Sequence, residues 1–101
     1  MTSSPWWLTD EDPLTRDSNQ IVDLIHEKRL EEAEIAGKKL LQDYPEVHDG
    51  FDRLALVYEA RNDRLRAAEM YQKALEFILN NDDSSEDMRD FYRDKIAMLK
   101  E

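Results

Sequence analysis

From residue 18 onward, apolar side chains recur at the spacing of an α-helix, and short polar segments separate one amphipathic run from the next. The pattern predicts five helices, over about 18–28, 30–43, 47–61, 64–80 and 85–100. Asp17 or Ser18 is the expected N-cap of the first. Pro45 ends the second because the residue before a proline is disfavoured in helical geometry, and Asn62-Asp63 forms the turn before the fourth. We therefore predict an all-α fold.

The first part of the chain, residues 1–17, is predicted to form an arm ahead of a helical domain of residues 18–101. Pro5 and Pro13 interrupt this stretch, and its apolar residues show no sustained helical period. Trp6 and Trp7 are adjacent, so they point in different directions on a helix and to opposite sides of an extended segment. We treat this pair as candidate interface residues.

Two stretches of the helical domain repeat each other. Ala33 corresponds to Ala67 and Leu40 to Ala74, and the members of each pair are 34 positions apart. That period is typical of helix–turn–helix repeats, which stack because one unit cannot bury its own apolar face. The predicted organisation is repeat one at about 18–45, repeat two at about 46–80, and a capping helix at about 85–100.

The second unit resembles a tetratricopeptide repeat. The residues that carry the resemblance are Phe51-x-x-Leu54-Ala55-x-x-Tyr58, followed by Ala67-x-x-x-Tyr71 and Ala74. Ala55 and Ala67 are small where two helices would cross, and the aromatic residues fill the surrounding space. The resemblance implies antiparallel helix pairs stacked as a short right-handed superhelix, with the fifth helix closing it.

The first unit is a degenerate version of the same motif. It keeps Ala33, Leu40 and the closing Pro45, but Asp17, Gln20-Ile21, Leu24 and Gly37 occupy the other motif positions. Such arrays usually need about three units, and a glycine inside a helix costs about 1 kcal/mol relative to alanine. We hypothesise that Trp6 or Trp7 folds over the first helix pair and fills the space beside Gly37. Alternatively, the two tryptophans stabilise a homodimer or bind a partner.

The resemblance also implies where a partner would bind, because the first helix of each pair lines the concave groove in this family. Residues facing away from the packed positions are Ser18, Val22, Ile25, Asp49, Asp52, Leu56 and Glu59. This set is apolar in the centre and acidic at one end, so we expect it to bind an apolar or basic segment of a partner. The Lys, Arg and Asn side chains of the family's carboxylate clamp are absent there, apart from nearby Arg53. The alternative is that these are ordinary solvated positions on helix faces.

Composition narrows the classes of function. The net charge of −10 disfavours both nucleic acid and anionic membrane surfaces, and favours a basic protein partner or simple solubility. With no cysteine, no membrane-length apolar run and no secretion-signal pattern, a cytoplasmic protein is expected. His26 and His48 have no ligand-spaced companions, and the two glycines form no phosphate-binding loop. We therefore expect no catalysis, metal or cofactor.

The expected function is a non-catalytic protein–protein interaction module or adaptor. One alternative is a small acidic inhibitor, such as an antitoxin or immunity protein, or a secretion chaperone, that masks a basic partner. Another is a self-assembling structural protein that uses the tryptophan arm.

Overall fold

The computed structural model describes residues 13–81 and 86–101, and this part of the chain forms five α-helices and no strand. The helices are α1 (Pro13–His26), α2 (Leu30–Asp43), α3 (Asp49–Ala60), α4 (Arg64–Asn81) and α5 (Glu86–Leu99). The all-α class and the five helices are confirmed. None of these helices is both long enough and apolar enough to cross a bilayer.

The helices pack in chain order, each against the next, and α1 also packs against α3. Tyr58 near the end of α3 lies in one cluster with Ala67 near the start of α4. Phe51, at the start of α3, packs against the cluster that contains Ile78 near the end of α4. These contacts show that α3 and α4 run antiparallel. Side chains of α5 also reach α3, through the Tyr92–Asp52 and Lys95–Glu59 contacts.

The first helix begins at Pro13, more than a turn before the predicted start at Ser18. A proline is tolerated in the first turn of a helix because its missing N–H would have no intrahelical partner there. The interpretation of Pro13 as a break in an arm of residues 1–17 was therefore wrong. Asp17 and Ser18, expected as N-caps, lie inside α1, and Ser18 is buried.

The same turn ends the first helix of both predicted units. Lys28 and Asn62 have positive φ angles of 65° and 62° and are 34 positions apart. The N–H groups of Lys28 and Arg29 donate to the carbonyls of Ile25 and Leu24. Asn62 and Asp63 make the equivalent bonds to Glu59 and Tyr58. Both turns are Schellman motifs, so the sequence repeat is also a repeat of backbone structure.

Both glycines lie where two helices approach closely. A Cβ added to Gly37 would be 2.7 Å from Cδ2 of Leu54, so α3 already fills the space beside this glycine. The expected gap beside Gly37 is therefore absent. Trp6 and Trp7 lie outside the described residues, so the hypothesis that one of them folds over the first helix pair stays a prediction. A Cβ on Gly50 would be 2.8 Å from Cα of Leu41. The backbones of α2 and α3 approach this closely because Gly50 has no side chain.

The buried positions of the two units correspond. Ala33 and Ala67 are fully buried, as are Ile21 and Ala55 at the preceding equivalent position. Leu24 and Tyr58 form a third equivalent buried pair. Gly37 corresponds to Tyr71, and this difference explains why Leu54 reaches into the first unit. Burial therefore follows the 34-residue period even where the residue types differ.

Candidate functional site, a face shared by α1 and α3

The predicted groove residues on α1 and α3 lie on helices that touch. Arg53 of α3 donates from Nε to the backbone carbonyl of Ser18 on α1, at 3.3 Å, and links the two helices. About one turn further along each helix, Val22 on α1 and Leu56 on α3 are half-buried, and so is Ile25 three residues after Val22. Val22 and Leu56 occupy equivalent positions of the two units. We call Val22, Ile25 and Leu56 the α1–α3 face.

Asp52, predicted to contact a partner, is engaged within the protein. Its Oδ2 accepts a hydrogen bond from the Tyr92 hydroxyl at 2.7 Å, and its Oδ1 pairs with Nη1 of Arg53 at 2.7 Å. Tyr92 is the one buried residue among those described on α5, at 1% exposure. Asp52 therefore attaches the last helix to α3.

Glu59 has a similar role about two turns further along α3. Its Oε2 accepts a hydrogen bond from the Tyr71 hydroxyl at 2.6 Å, and its Oε1 pairs with Nζ of Lys95 at 3.1 Å. Nζ of Lys95 also lies 6.0 Å from the ring centre of Tyr71 and 5.9 Å from that of Phe91. Glu59 thus joins α3, α4 and α5.

The two tyrosine hydroxyls are held as donors. Burial raises the pKa of Tyr71, and the hydrogen bond to the carboxylate of Glu59 raises it further. Burial also raises the pKa of Tyr92, followed by the negative charge of Asp52 and the hydrogen bond to it. Both phenols remain protonated at neutral pH and donate to carboxylates that sequence analysis assigned to partner binding.

The remaining predicted residues are buried, half-buried or outside the described part of the chain. Ser18 is 2% exposed, so its side chain offers almost no surface, and its hydroxyl has no hydrogen-bond partner among the described residues. Asp49 is half-buried, and its charge contributes to the raised pKa of Tyr92. Trp6 and Trp7 lie outside the described residues.

Sequence analysis missed a polar contact that fastens α2 to α3. Oε2 of Glu34 accepts a hydrogen bond from the Tyr58 hydroxyl at 3.2 Å, and Oε1 pairs with Arg61. Burial opposes ionisation of Glu34, but hydrogen bonds from Lys38 and Tyr58 outweigh it and lower its pKa. No local pattern marks this contact, because Glu34 and Tyr58 are 24 positions apart.

The electrostatics of the site follow from these pairs. Asp52 is balanced by Arg53 and Glu59 by Lys95, so neither carboxylate presents an uncompensated charge to a partner. The half-buried apolar side chains of the α1–α3 face keep part of their surface exposed, and a partner can cover that part. Within the described ranges, no three His, Asp or Glu side chains are grouped as metal ligands.

No protein-family model, curated protein or solved structure matches the chain.

Proposed function

We propose that this chain is a non-catalytic protein-binding module of the tetratricopeptide type, which binds an apolar segment of a partner protein on the α1–α3 face. The supporting observation is the pair Val22 and Leu56, which are half-buried and occupy equivalent positions of the repeat on two touching helices. Helical grooves of this form accept an extended segment or an amphipathic helix through apolar contacts. A cytoplasmic location remains part of this proposal.

The internal pairing of Asp52 and Glu59 shifts the expected partner from basic towards apolar. An interface that buries apolar surface produces a negative heat-capacity change on binding and depends weakly on salt. An acidic inhibitor that masks a basic protein would instead associate through complementary charge, with a steep loss of affinity as salt increases. Calorimetry at two salt concentrations distinguishes these two functions.

Partner capture with matched variants tests the proposed surface. The wild-type chain, Leu56→Glu and the control Leu65→Glu are each used to capture proteins from a lysate of the source organism. Leu65 is a suitable control because it is 72% exposed and lies on α4, away from the α1–α3 face. We expect a partner that is retained by Leu65→Glu and lost by Leu56→Glu. A partner captured equally by all three contradicts this surface.

Folding of Leu56→Glu has to be verified, since Leu56 is half-buried. Val22→Ser provides a second variant with a smaller perturbation at the equivalent position of α1. If both variants keep the wild-type circular dichroism and both lose the partner, the effect belongs to the surface.

A further inference from the structure

A stripe of exposed side chains runs along α5. Asp87, Phe91, Asp94 and Met98 follow one another at intervals of four, three and four residues, which places them on one side of the helix. Phe91 is 48% exposed and Met98 is 53% exposed, and both aspartates are exposed. Acidic and apolar side chains therefore alternate on this side of α5. We call these four residues the α5 stripe.

The α5 stripe borders the contact between α5 and α3. Nζ of Lys95 lies 3.1 Å from Oε1 of Glu59 on α3 and 5.9 Å from the ring centre of Phe91. Leu56 lies three residues before Glu59, on the same side of α3. The α5 stripe therefore continues the α1–α3 face on the far side of the Lys95–Glu59 pair.

The ring of Phe91 is held in place by its neighbours. It makes edge contacts with Tyr71 and Tyr92, with ring centres 6.3 Å and 5.6 Å apart. Lys95 lies beside the ring, but its charge is balanced by Glu59. Another cation can therefore contact the exposed part of Phe91 without meeting an uncompensated positive charge.

The free charges beside Phe91 are negative. Asp87 and Asp94 are each one helical turn from Phe91, and neither forms an ion pair or hydrogen bond with another described residue. Asp90, the residue before Phe91, has Oδ1 3.9 Å from Nη1 of Arg93. Two exposed carboxylates without a cation thus flank an exposed aromatic ring.

We propose that the α5 stripe binds an arginine of the partner segment whose apolar residues lie on the α1–α3 face, an inference that rests on the proposed function. The guanidinium stacks on the exposed part of Phe91 and donates to Asp87 or Asp94, since side chains one turn apart on a helix are neighbours. Arginine fits this site better than lysine because its planar group stacks on a ring and donates to a carboxylate at the same time. The partner segment is therefore mainly apolar and carries an arginine at one end.

The charge of the whole molecule agrees with this occupant. A net charge of −10 attracts a segment with a basic end and opposes binding of a second copy of this chain. One arginine at an exposed site adds only a shallow dependence on salt, so the complex remains distinguishable from that of a charge-masking inhibitor.

Two synthetic amphipathic peptides test the proposal. They have leucine at the same positions and differ only at their two ends, where one carries arginine and the other glutamine. Both ends are varied so that either direction of binding is covered. Isothermal titration calorimetry with the full chain should show about tenfold tighter binding of the arginine peptide. Equal affinities overturn the inference.

Matched variants assign the preference to the α5 stripe. Asp94→Asn removes an exposed carboxylate with little change of shape and should reduce the preference for arginine severalfold. Glu69→Gln removes the same charge from an exposed position on α4 and should keep it. Phe91→Leu keeps an apolar side chain but loses the ring face, so the preference should decrease, and circular dichroism verifies its fold. A preference that neither α5 variant changes overturns the assignment.

The variant Leu56→Glu separates this inference from the proposed function. If both hold, it abolishes binding of both peptides. If the two peptides bind the wild type equally and Leu56→Glu abolishes both, the α1–α3 face is supported and the arginine site is overturned. If Leu56→Glu leaves both affinities unchanged while Asp94→Asn removes the preference, the arginine site is supported and the α1–α3 face is contradicted. If neither peptide binds the wild type, the inference is overturned, and partner capture still tests the proposed function.

Discussion

Lys28 carries a backbone conformation that its side chain disfavours. Its φ of 65° lies in the left-handed region, where a residue with a Cβ is less stable than glycine by about 1 kcal/mol or more. Asn62 has nearly the same φ at the equivalent turn, and asparagine tolerates this region better. The first unit therefore uses the less favourable residue for the same Schellman turn.

We predict that Lys28→Gly raises the free energy of unfolding by about 1 kcal/mol, because it removes this steric cost. Asn62→Gly is the matched control and should raise it by less. Urea denaturation midpoints compare the two variants. A loss of stability in Lys28→Gly would show that the Lys28 side chain makes a contribution larger than the backbone strain.

Ser18 combines burial with an unpartnered hydroxyl, and a buried polar group without a hydrogen bond costs about 1–3 kcal/mol. We predict that Ser18→Ala is neutral or stabilises the protein by up to about 1 kcal/mol, since alanine also favours the helix. Thermal and urea unfolding measure the change. The carbonyl of Ser18, which accepts from Arg53, is unaffected by the substitution.

At the scale of helices, the two glycines differ in which atoms would obstruct a larger residue at their positions. A Cβ at Gly37 meets the end of the Leu54 side chain, whereas a Cβ at Gly50 meets the backbone of Leu41. A side-chain terminus can shift, but two packed backbones separate only if α2 and α3 move apart. The crossing of α2 and α3 therefore depends more strongly on Gly50.

We predict that Gly50→Ala destabilises the protein by about 2 kcal/mol or more, because overpacking costs about 1–3 kcal/mol. Gly37→Ala should cost less, since about 1 kcal/mol of helix propensity offsets the displacement of Leu54. Equilibrium denaturation of both variants gives the order. The opposite order would mean that Leu54 cannot adjust.

The hydrogen bond from Tyr92 to Asp52 attaches α5 to α3. Tyr92→Phe removes the hydroxyl that donates to Asp52 and keeps the ring in place. We predict a loss of about 1.5–3 kcal/mol, the range for a hydrogen bond to a charged group. Faster hydrogen exchange should be concentrated in α5 if this bond attaches it.

Charge reversal at Asp52 would break the same hydrogen bond from its other end. Asp52→Lys would place a cation beside Arg53 and leave Tyr92 without its acceptor. We expect this variant to be less stable than wild type, so reduced partner binding by it would not identify a binding surface. The variants Val22→Ser and Leu56→Glu avoid this ambiguity.

For the whole molecule, the buried tyrosines determine how stability responds to alkaline pH. The pKa values of Tyr71 and Tyr92 are raised above the ordinary value of 10.0, so the folded protein binds protons that the unfolded chain releases. Stability from these groups is complete below pH 10.0 and is lost as the pH rises above it. Acid also reduces stability, through Glu34, because its pKa is lowered in the folded protein and its contribution therefore declines as the pH falls below 4.5.

We predict that the melting temperature decreases above about pH 10, together with the appearance of tyrosinate absorbance. Tyr71→Phe should be less stable at neutral pH and should show a shallower alkaline decrease. Tyr44→Phe is a control, since Tyr44 is half-buried and packs against the cluster that contains Ile21 and Leu40, not against the cluster of Tyr71. An equal alkaline decrease in wild type and Tyr71→Phe would contradict this role for the Tyr71–Glu59 bond.

The sequence by itself determined the five helices, the bounds of α2 and the 34-residue repeat. The helices depend on apolar spacing within one or two turns, a signal that lies inside a short window of sequence, and the repeat appears when two such windows 34 positions apart are compared. The start of α1 was missed because Pro13 can either interrupt a helix or begin one, and local pattern did not decide between them.

Only the tertiary structure decided how the predicted surface residues are used. Leu54 fills the space beside Gly37. Tyr92 donates a hydrogen bond to Asp52, and Lys95 forms an ion pair with Glu59. The two polar contacts join residues 40 and 36 positions apart, where no periodicity connects the partners. An exposed acid and an acid bound by a distant tyrosine have the same local pattern. The difference arises only when α5 packs against α3.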